Sequence, residues 1–563
     1  AAAKGHLDVV RYLCELPVDR GVDPSADDND AVRQAARLGH LDVVRYLCEL
    51  PVDRGVTASA GDDATVRQAA REGHLDVVRY LCELPVDRGV DLSADDNFAV
   101  RRAAAKGHVD VVRYLCELPV DRGVDPSADG NYAVRLAARM GHLDVVRYLC
   151  ELPVDRGVNP SARVNNAVRA AARLGHLDVV RYLCELPVDR GVDPSADGNY
   201  AVRQAAEGGH LDVVRYLCEL PMDRGVNPSA CDNDAVRQAA RLGHLDVVRY
   251  LCELAADRGV DPSANGNNAV RWAARFGHLD VVRYLCELLV DRGVDLSAHD
   301  DDAVRLAAGG GHLDVVRYLC ELPMGRGVNL SACSNNPVGA AAAKGHLGVV
   351  RYLCELPADR GVDPSADDNY ALRRAALGRY LDVVRYLCEL PMDRGVKPSA
   401  CDNNAVRWAA KQGQLDVVRY LCELPVDRGV DPSADDDDAV IWAAKQGHLD
   451  VVRYLCELSV DRGVDVCSHA ARQAAERGHL SVVRYLCDLP AGRGADPSAV
   501  LSEESRSNVV RYLCNTHCSA HRLSSWAPHS SIADIQQQAL TSSALSPLLA
   551  VRALVRRRRA IVV

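Results

Sequence analysis

The chain is poor in Phe, Trp and Met. Its 563 residues include two Phe, four Trp and four Met, although 48% of all residues are hydrophobic. Ala, Val, Leu and Cys must therefore build the core, and an interior of clustered aromatic rings is excluded. No apolar run approaches the about 20 residues that a membrane-spanning helix needs, and no stretch has the pattern of a signal peptide. These absences argue against a membrane-spanning chain.

Acidic residues outnumber basic ones over most of the chain. The net charge is −11, and residues 501–563 carry eight Arg against three acidic residues, so the acidic excess lies in residues 1–500. Phosphate groups bind to basic surfaces. We therefore expect neither nucleic acid nor an anionic membrane as the partner of residues 1–500.

What the sequence has in abundance is a repeat. The pattern A-V-R-x-A-A-x-x-G-H-L-D-V-V-R-Y-L-C-E-L-P-V-D-R-G-V-D-P-S-A returns every 34 residues, about fifteen times, with one late copy three residues early and a remnant at 509–514. A fixed period of this size is typical of stacked repeat proteins, in which each unit contacts mainly its neighbours. We predict a repeat array over 1–500 with a truncated first copy, a degenerate terminal repeat over 501–521, and a low-complexity disordered tail with a basic end over 522–563.

Each copy predicts two short helices. In the copy at 29–62, Asn29 is expected to be an N-cap or turn residue, because its side chain can accept from the free N–H groups at a helix start. Gly39 ends the first helix. A second helix follows over about 41–50, with Leu41, Val44 and Leu47 at helical spacing on one side. Pro51 stops it, and the Asp-Arg-Gly at 53–55 is a turn signal.

These elements resemble the ankyrin repeat. The stretch A-A-R-L-G-H-L-D-V-V-R-Y-L at 35–47 is similar to the family's A-A-x-x-G-H-L-E-V-V-K-L-L, and G-V-D-P-S-A at 21–26 is similar to its G-A-D-V-N-A. The likeness covers nearly all of residues 1–500. It implies an all-α solenoid of stacked helix pairs with short hairpins or right-angled loops, curved into a superhelix with a concave groove. Two departures are that x-A-V-R replaces the family's T-P-L-H, and that L-P-V-D at 50–53 lengthens the link after the second helix.

Several constant columns carry chemically active residue types. Sixteen of the 21 cysteines occupy the Cys of R-Y-L-C, as at Cys48. Neighbouring helix pairs stack about 10 Å apart, beyond the about 7 Å limit for a disulfide, so we expect reduced thiols that act as small apolar residues of an intracellular protein. The His of Gly-His recurs without a varying carboxylate or thiol around it, which predicts a structural hydrogen bond rather than catalysis. Asp42, Arg45 and Glu49 are expected to form solvated ion pairs on the outer face of the second helix.

The variable columns are more informative, because the constant ones fit recent duplication as well as a packed core. Variation concentrates at residues 30, 34 and 38 and their equivalents, whose spacing of four places them on one stripe of the first helix. A column that accepts Gly, Glu, Lys and Phe in turn is not expected to be fully buried. The resemblance implies that this stripe faces the groove that holds partners. The predicted partner-binding residues are Phe98, Tyr132, Tyr200, Asn268, Trp272, Phe276, Tyr370, Trp408, Gln412, Trp442 and Gln446.

Large aromatic residues are the usual energetic anchors of an interface, and Trp408 and Trp442 lie in adjacent copies. Two alternatives stay open for them. Each Trp covers a neighbouring helix, or the differences between copies are neutral.

Two signals lie outside the regular array. Cys514, His517, Cys518 and His521 offer four possible zinc ligands, but Cys514 belongs to the core column, and structural zinc sites use two separated ligand pairs. We therefore expect no metal and no cofactor. The run Arg556–Arg559 is compatible with nuclear import, an acidic partner or a membrane surface, and a disordered tail or a frame-shifted gene end explains it as well.

Three functions remain open from the sequence. The main prediction is a non-enzymatic scaffold that binds a protein partner along the concave groove, as a monomer, in the cytoplasm or, through the arginine run, the nucleus. The second is a targeting or adaptor region of a larger protein, because Ala1 falls in mid-repeat with no Met before it and an N-terminal domain would then be missing. The third is a structural spacer without a specific ligand. The pattern names no partner, because repeat arrays share architecture and not ligand.

Overall fold

The structure is a computed structural model of the chain. It describes residues 1–16, 23–51, 54, 56–85, 90–119, 122, 124–254, 258, 260–291, 302–322, 337–357, 362–425, 428, 430–458, 468–489, 495 and 500. The chain divides into two compact units. Unit 1 comprises Ala1–Ala273 and Asp280–Arg292, and unit 2 comprises Ala274–Leu279 and Gly293–Val563. The predicted terminal repeat and tail, over 501–563, lie outside the described residues.

Within these described ranges the regular structure is helical and no strand occurs. The first half of the chain holds α1 (Leu7–Glu15), α2 (Ala26–Arg37), α3 (Leu41–Cys48), α4 (Ala60–Glu72), α5 (Leu75–Glu83), α6 (Ala94–Lys106), α7 (Val109–Glu117), α8 (Ala128–Met140), α9 (Leu143–Glu151), α10 (Ala162–Arg173), α11 (Leu177–Glu185), α12 (Ala196–Glu207), α13 (Leu211–Glu219), α14 (Ala230–Leu242), α15 (Leu245–Glu253), α16 (Ala264–Phe276) and α17 (Leu279–Asp291). The second half holds α18 (Asp302–Gly310), α19 (Leu313–Glu321), α20 (Pro337–Ala342), α21 (Leu347–Glu355), α22 (Ala366–Gly378), α23 (Leu381–Glu389), α24 (Ala400–Lys411), α25 (Leu415–Glu423), α26 (Ala434–Gln446), α27 (Leu449–Glu457), α28 (Ser468–Arg477) and α29 (Leu480–Asp488).

The helices form pairs, and the pairs stack within each unit. Even-numbered helices are the first helices of the copies, and odd-numbered helices are the second ones. In unit 1, each first helix from α2 to α12 contacts the next first helix, and each from α2 to α14 contacts its own second helix. In unit 2, each first helix from α18 to α26 contacts the next first helix, and each from α18 to α28 contacts its own second helix. The predicted all-α repeat of helix pairs is therefore confirmed. None of the described helices has the length and apolar character needed to cross a membrane.

The core lies where successive pairs meet. In α10 and α11, Ala171, Ala172, Val180 and Leu183 are completely buried. The small Ala columns let neighbouring first helices approach closely, and burying each Leu contributes about 1.5–3 kcal/mol. Leu41 and its equivalents, at the start of each second helix, are half-buried.

A left-handed turn precedes most first helices. Asp27, Asp28 and Asn29 have φ of 53°, 55° and 60°, so α2 becomes regular only from Asp30. The N-cap alternative for Asn29 is wrong and the turn alternative is right. The Asn29 side chain accepts a hydrogen bond from the backbone N–H of Thr57 in the next copy, at 3.0 Å. Asn tolerates this conformation better than most residues, and its buried side chain requires a partner.

The same bond joins other copies at the same sequence separation. It pairs Asn97 with Asp125, Asn131 with Asn159, Asn165 with Asp193, Asn199 with Asn227, Asn233 with Asp261, Asn369 with Lys397 and Asn403 with Asp431.

The histidine column also links copies. The Nε2–H of His210 donates to the carbonyl of Arg173 in the preceding copy at 3.0 Å, and equivalent bonds recur along both units. Where Gln414 replaces the histidine, its Nε2 donates to the carbonyl of Leu377 at 2.9 Å. The predicted structural role of the histidine is confirmed.

The histidine ring explains the glycine before it. Gly175 has φ of 78°, and a Cβ atom there would lie 2.5 Å from Nδ1 of His210 in the next copy. The chain contains one natural exception. Arg379 occupies the glycine column with φ of 68°, and the facing residue in the next copy is Gln414 instead of His. The bulkier Arg379 in the glycine column thus faces Gln414, which has no ring, in the histidine column of the next copy.

The described cysteines of the R-Y-L-C column are buried, except Cys487, which is half-buried. The described cysteines are free thiols, as expected, and burial raises the pKa of Cys184 to about 12. The carbonyl of Cys184 accepts a hydrogen bond from Nη1 of Arg224 at 2.8 Å. Arg224 is the Arg of the Asp-Arg-Gly link, where a short 3₁₀ turn spans Met222–Arg224. This arginine therefore closes the C-terminal end of the preceding copy's second helix, whose last carbonyls lack helical partners.

The outer face of the second helices differs from the expectation. The guanidinium of Arg45 lies 5.5 Å from the centroid of the Tyr80 ring in the next copy, in place of the ion pairs predicted with Asp42 and Glu49. The same Arg–Tyr contact recurs in other copies. The second helices of adjacent copies are neighbours in the stack. The arginine of one can therefore reach the tyrosine ring of the next as readily as a carboxylate on its own helix.

Candidate protein-binding stripe on the first helices

The variable columns lie on the outward side of the first helices. We use the name variable stripe for residues 30, 34 and 38 and their equivalents in the other copies. The column of residue 34 is half-buried in most copies, whereas that of residue 38 is exposed in most. Its apolar members have exposed fractions of 41% for Leu38, 51% for Met140, 44% for Leu174, 40% for Leu242 and 43% for Phe276. A row of outward-facing apolar side chains can bind another apolar surface.

Aromatic residues in the column of residue 30 are partly covered by arginines. Phe98 and Tyr132 in α6 and α8, and Tyr200 in α12, are half-buried. The guanidinium of Arg169 lies 4.1 Å from the Tyr200 ring centroid, and that of Arg102 lies 4.7 Å from the Phe98 ring. Tyr370 in α22 is more exposed. The predicted aromatic residues of this column thus lie at the surface. Arginines from the same copy and, for Phe98, Tyr132 and Tyr200, also from the preceding copy lie over their rings.

Trp272 in unit 1 lies beside a surface cavity of about 360 Å³. The cavity is lined by Glu207, Arg237, Gln238, Arg241 and Trp272, from three successive first helices. Its charges are paired, since Nη2 of Arg241 lies 3.0 Å from Oε1 of Glu207, and Arg237 pairs with Asp234 at 3.0 Å. The cavity therefore offers an indole beside arginines that are already engaged in ion pairs.

The other predicted residues of α16 are placed separately. Asn268 is half-buried and belongs to unit 1 with Trp272, whereas Phe276 follows the unit boundary and belongs to unit 2.

Trp442 in unit 2 is held by polar contacts. Its Nε1–H donates to Oδ2 of Asp438 at 3.0 Å. The ammonium groups of Lys411, from the preceding copy, and of Lys445 lie 4.1 and 5.0 Å from the indole centroid. Trp408 in α24 is half-buried, and the predicted residues Gln412 and Gln446 are exposed beside these tryptophans. The first alternative for Trp442, contact with a neighbouring helix, therefore describes part of its environment, because Lys411 belongs to the preceding copy. The indole ring is nevertheless partly exposed at the surface.

Sequence reasoning missed the arginine of A-V-R, which positions the stripe. Arg67, Arg101, Arg169 and Arg203 each form an ion pair with an aspartate of the next copy, at 2.8–3.3 Å. These arginines are largely covered, so their ion pairs are stronger than fully exposed ones. The sequence does contain a signal for it, because the arginine of A-V-R is nearly constant beside the variable column of residue 34. Only the stacked copies show which aspartate this arginine reaches.

The described residues offer little for catalysis or metal binding. Burial raises the pKa of Cys82, Cys150, Cys218 and Cys388 to about 12, so these thiols are poor nucleophiles at neutral pH. No group of three or more His, Cys, Asp or Glu side chains in the described ranges could hold a metal ion. The zinc candidates Cys514, His517, Cys518 and His521 lie outside those ranges.

The sequence of the repeats also matches a known protein family. The family model for ankyrin repeats in three copies matches residues 66–164, 118–196, 152–228, 169–261, 220–300, 238–332, 306–397, 372–470 and 406–500. The matches together cover most of the chain, and the protein belongs to the ankyrin repeat family. Repeats of this family are generally protein–protein interaction modules and are typically non-enzymatic. A search of curated proteins found no significant match.

Proposed function

We propose that this chain is a non-enzymatic scaffold that holds a protein partner along the variable stripe, which corresponds to the concave groove of ankyrin arrays. The observation that carries the proposal is the row of exposed apolar residues at Leu38, Met140, Leu174, Leu242 and Phe276. Large apolar side chains exposed at equivalent positions of several copies are costly to leave in water. A partner that covers them would recover that free energy.

The charge of the chain supports a protein partner over a nucleic acid. Residues 1–500 are acidic overall, and nucleic-acid affinity depends on phosphate neutralisation by basic surface. We propose that the scaffold acts inside the cell, since the described cysteines are free thiols and free thiols persist in reducing compartments.

Binding by the full-length chain tests this proposal. Immobilised wild-type chain is compared with a Trp408→Ala/Trp442→Ala variant, and the proteins retained from cell extract are identified and their affinities measured with purified components. We expect the variant to lose at least about tenfold in affinity, because aromatic anchors dominate interfaces.

The matched control is Tyr420→Ala/Tyr454→Ala, which removes two aromatic rings from the second helices of the same copies. This control should bind as the wild type does. Equal affinity of the wild type and the tryptophan variant, with helix content unchanged, would remove the variable stripe at these tryptophans as the binding surface, and failure of the wild type to retain any specific partner would favour the spacer function.

A further inference from the structure

We propose that Trp442, together with Lys411 and Lys445, recognises a partner segment in which acidic side chains flank an apolar one. This inference rests on the proposed function, because it names the chemistry of a partner at one place on the variable stripe.

The indole is fixed before any partner arrives. Its N–H is bound to Asp438, and the same carboxylate is bound by Arg407 of the preceding copy. Arg407 also pairs with Asp435 at 2.5 Å. A side chain held at both its own helix and the neighbouring copy loses little rotamer freedom on binding, which favours affinity.

Two ammonium groups at this site contact the indole and not a carboxylate among the described residues. Asp435 and Asp438 are both engaged by Arg407. Within the described part of the chain, the ammonium groups of Lys411 and Lys445 contact the Trp442 ring and pair with no carboxylate. A carboxylate of a partner can therefore meet two ammonium groups beside the indole without displacing an existing ion pair.

The tryptophan of unit 1 provides an internal contrast. At Trp272 the nearby arginines, Arg237 and Arg241, are already paired with Asp234 and Glu207. Asp234 also pairs with Arg203 at 2.9 Å, so an acidic segment at Trp272 would have to compete with carboxylates that these arginines already bind. At Trp442 the two lysines contact the ring instead, so an acidic segment meets no such competitor.

The spacing of the copies limits the shape of the segment. Trp408 occupies the same column in the copy before Trp442, and packed helices lie about 10 Å apart. An extended chain advances about 3.3 Å per residue. Two apolar side chains three residues apart, with acidic residues between and around them, therefore match the two tryptophans and the lysines beside them.

Fluorescence anisotropy with the full-length chain tests this assignment. The probe is a fluorescein-labelled peptide, Glu-Leu-Glu-Asp-Leu-Glu, and the matched peptides carry Gln or Lys in place of every acidic residue. We expect the acidic peptide to bind about tenfold more tightly than the Gln peptide, and the preference to disappear in a Lys411→Gln/Lys445→Gln variant. Lys397→Gln, at an exposed lysine of the same unit outside the variable stripe, is the matched control and should keep the preference.

The outcomes separate this inference from the proposed function. Equal binding of the acidic and Gln peptides, lost for both in the Trp408→Ala/Trp442→Ala chain, overturns the acidic preference and leaves the stripe as a binding surface. Peptide binding that none of these variants changes overturns both. If phosphatidylserine vesicles bind in a lysine-dependent manner and the acidic peptide does not, the site belongs to a lipid surface and the inference is wrong.

Discussion

The two sides of a single first helix, α10, behave differently. Ala171 and Ala172 are completely buried, whereas Leu174, which caps the C-terminal end of this helix, is 44% exposed. The buried columns repeat almost without change, and the column of Leu174 reads Leu, Glu, Lys, Met, Gly and Phe in different copies. The buried positions of this helix thus keep the same residue from copy to copy, and the exposed position varies. Burial therefore distinguishes the two sets of positions better than residue type does.

The largest difference between the two sides should appear on truncating leucines. Leu183→Ala removes a completely buried side chain and should cost about 2–5 kcal/mol, because it leaves a cavity between copies. Leu174→Ala removes an exposed one and should cost about 0.5 kcal/mol or less. Hydrogen exchange of amides in α10 and α11 measures both locally, which suits a long array that need not unfold in one step. Similar losses for the two variants would contradict the division into buried and variable sides.

The glycine–histidine contact should give an intermediate effect. Gly175→Ala places a Cβ 2.5 Å from the His210 ring at a φ of 78°, and we expect a loss of about 1–3 kcal/mol. Gly348→Ala is the matched control, since its Cβ would meet only Leu313 at 3.9 Å within a helix where Ala is favoured. Hydrogen exchange in the two flanking second helices measures both variants.

The Arg379–Gln414 pair suggests a test of the reason for that loss. Adding His210→Gln to Gly175→Ala removes the facing ring and should recover part of the lost stability, because a glutamine still reaches the preceding carbonyl, as Gln414 does. The strain of the left-handed backbone remains in the double variant. No recovery at all would mean that backbone strain, and not the ring, causes the whole effect.

The smallest effect near neutral pH concerns the thiols. Burial raises the pKa of Cys184 to about 12, above the usual value of about 8.5 for an exposed thiol. Its contribution to stability is fully present below the unfolded pKa and is lost as pH rises toward 12, because the unfolded chain releases this proton first. Iodoacetamide labelling of the native chain at pH 9, resolved by peptide mass spectrometry, should modify exposed Cys231 and leave Cys184 unmodified. Equal labelling rates would show that the column is open to solvent.

Much of this arrangement could be predicted from one copy of the repeat. The helix pair follows from Gly39, Pro51 and apolar spacing, which act locally. The structural role of the histidine followed from its constancy. The exposure of the column of Leu38 followed from its tolerance of unlike residues, because a packed site rejects such changes.

Contacts between different copies were harder to predict from the sequence. Asn29 was assigned to a turn or to a helix cap, and only its distance to the Thr57 N–H distinguishes them. Arg45 was assigned to ion pairs, yet it lies over the Tyr80 ring. In both cases the partner is about one repeat away in sequence, and many residues in that range have compatible chemistry. The partner-binding role of the variable stripe remains a prediction.

The sequence by itself determined the repeat, its two helices and the ankyrin family, because these depend on period, capping residues and apolar spacing. Tertiary structure alone decided which charges remain unpaired on the variable stripe. Trp272 and Trp442 occupy the same column, but the arginines near Trp272 pair with Asp234 and Glu207, whereas the lysines at Trp442 contact its ring. The physical reason is that an ion pair between copies depends on distances of about 3 Å, which stacking sets and the sequence of one copy does not contain.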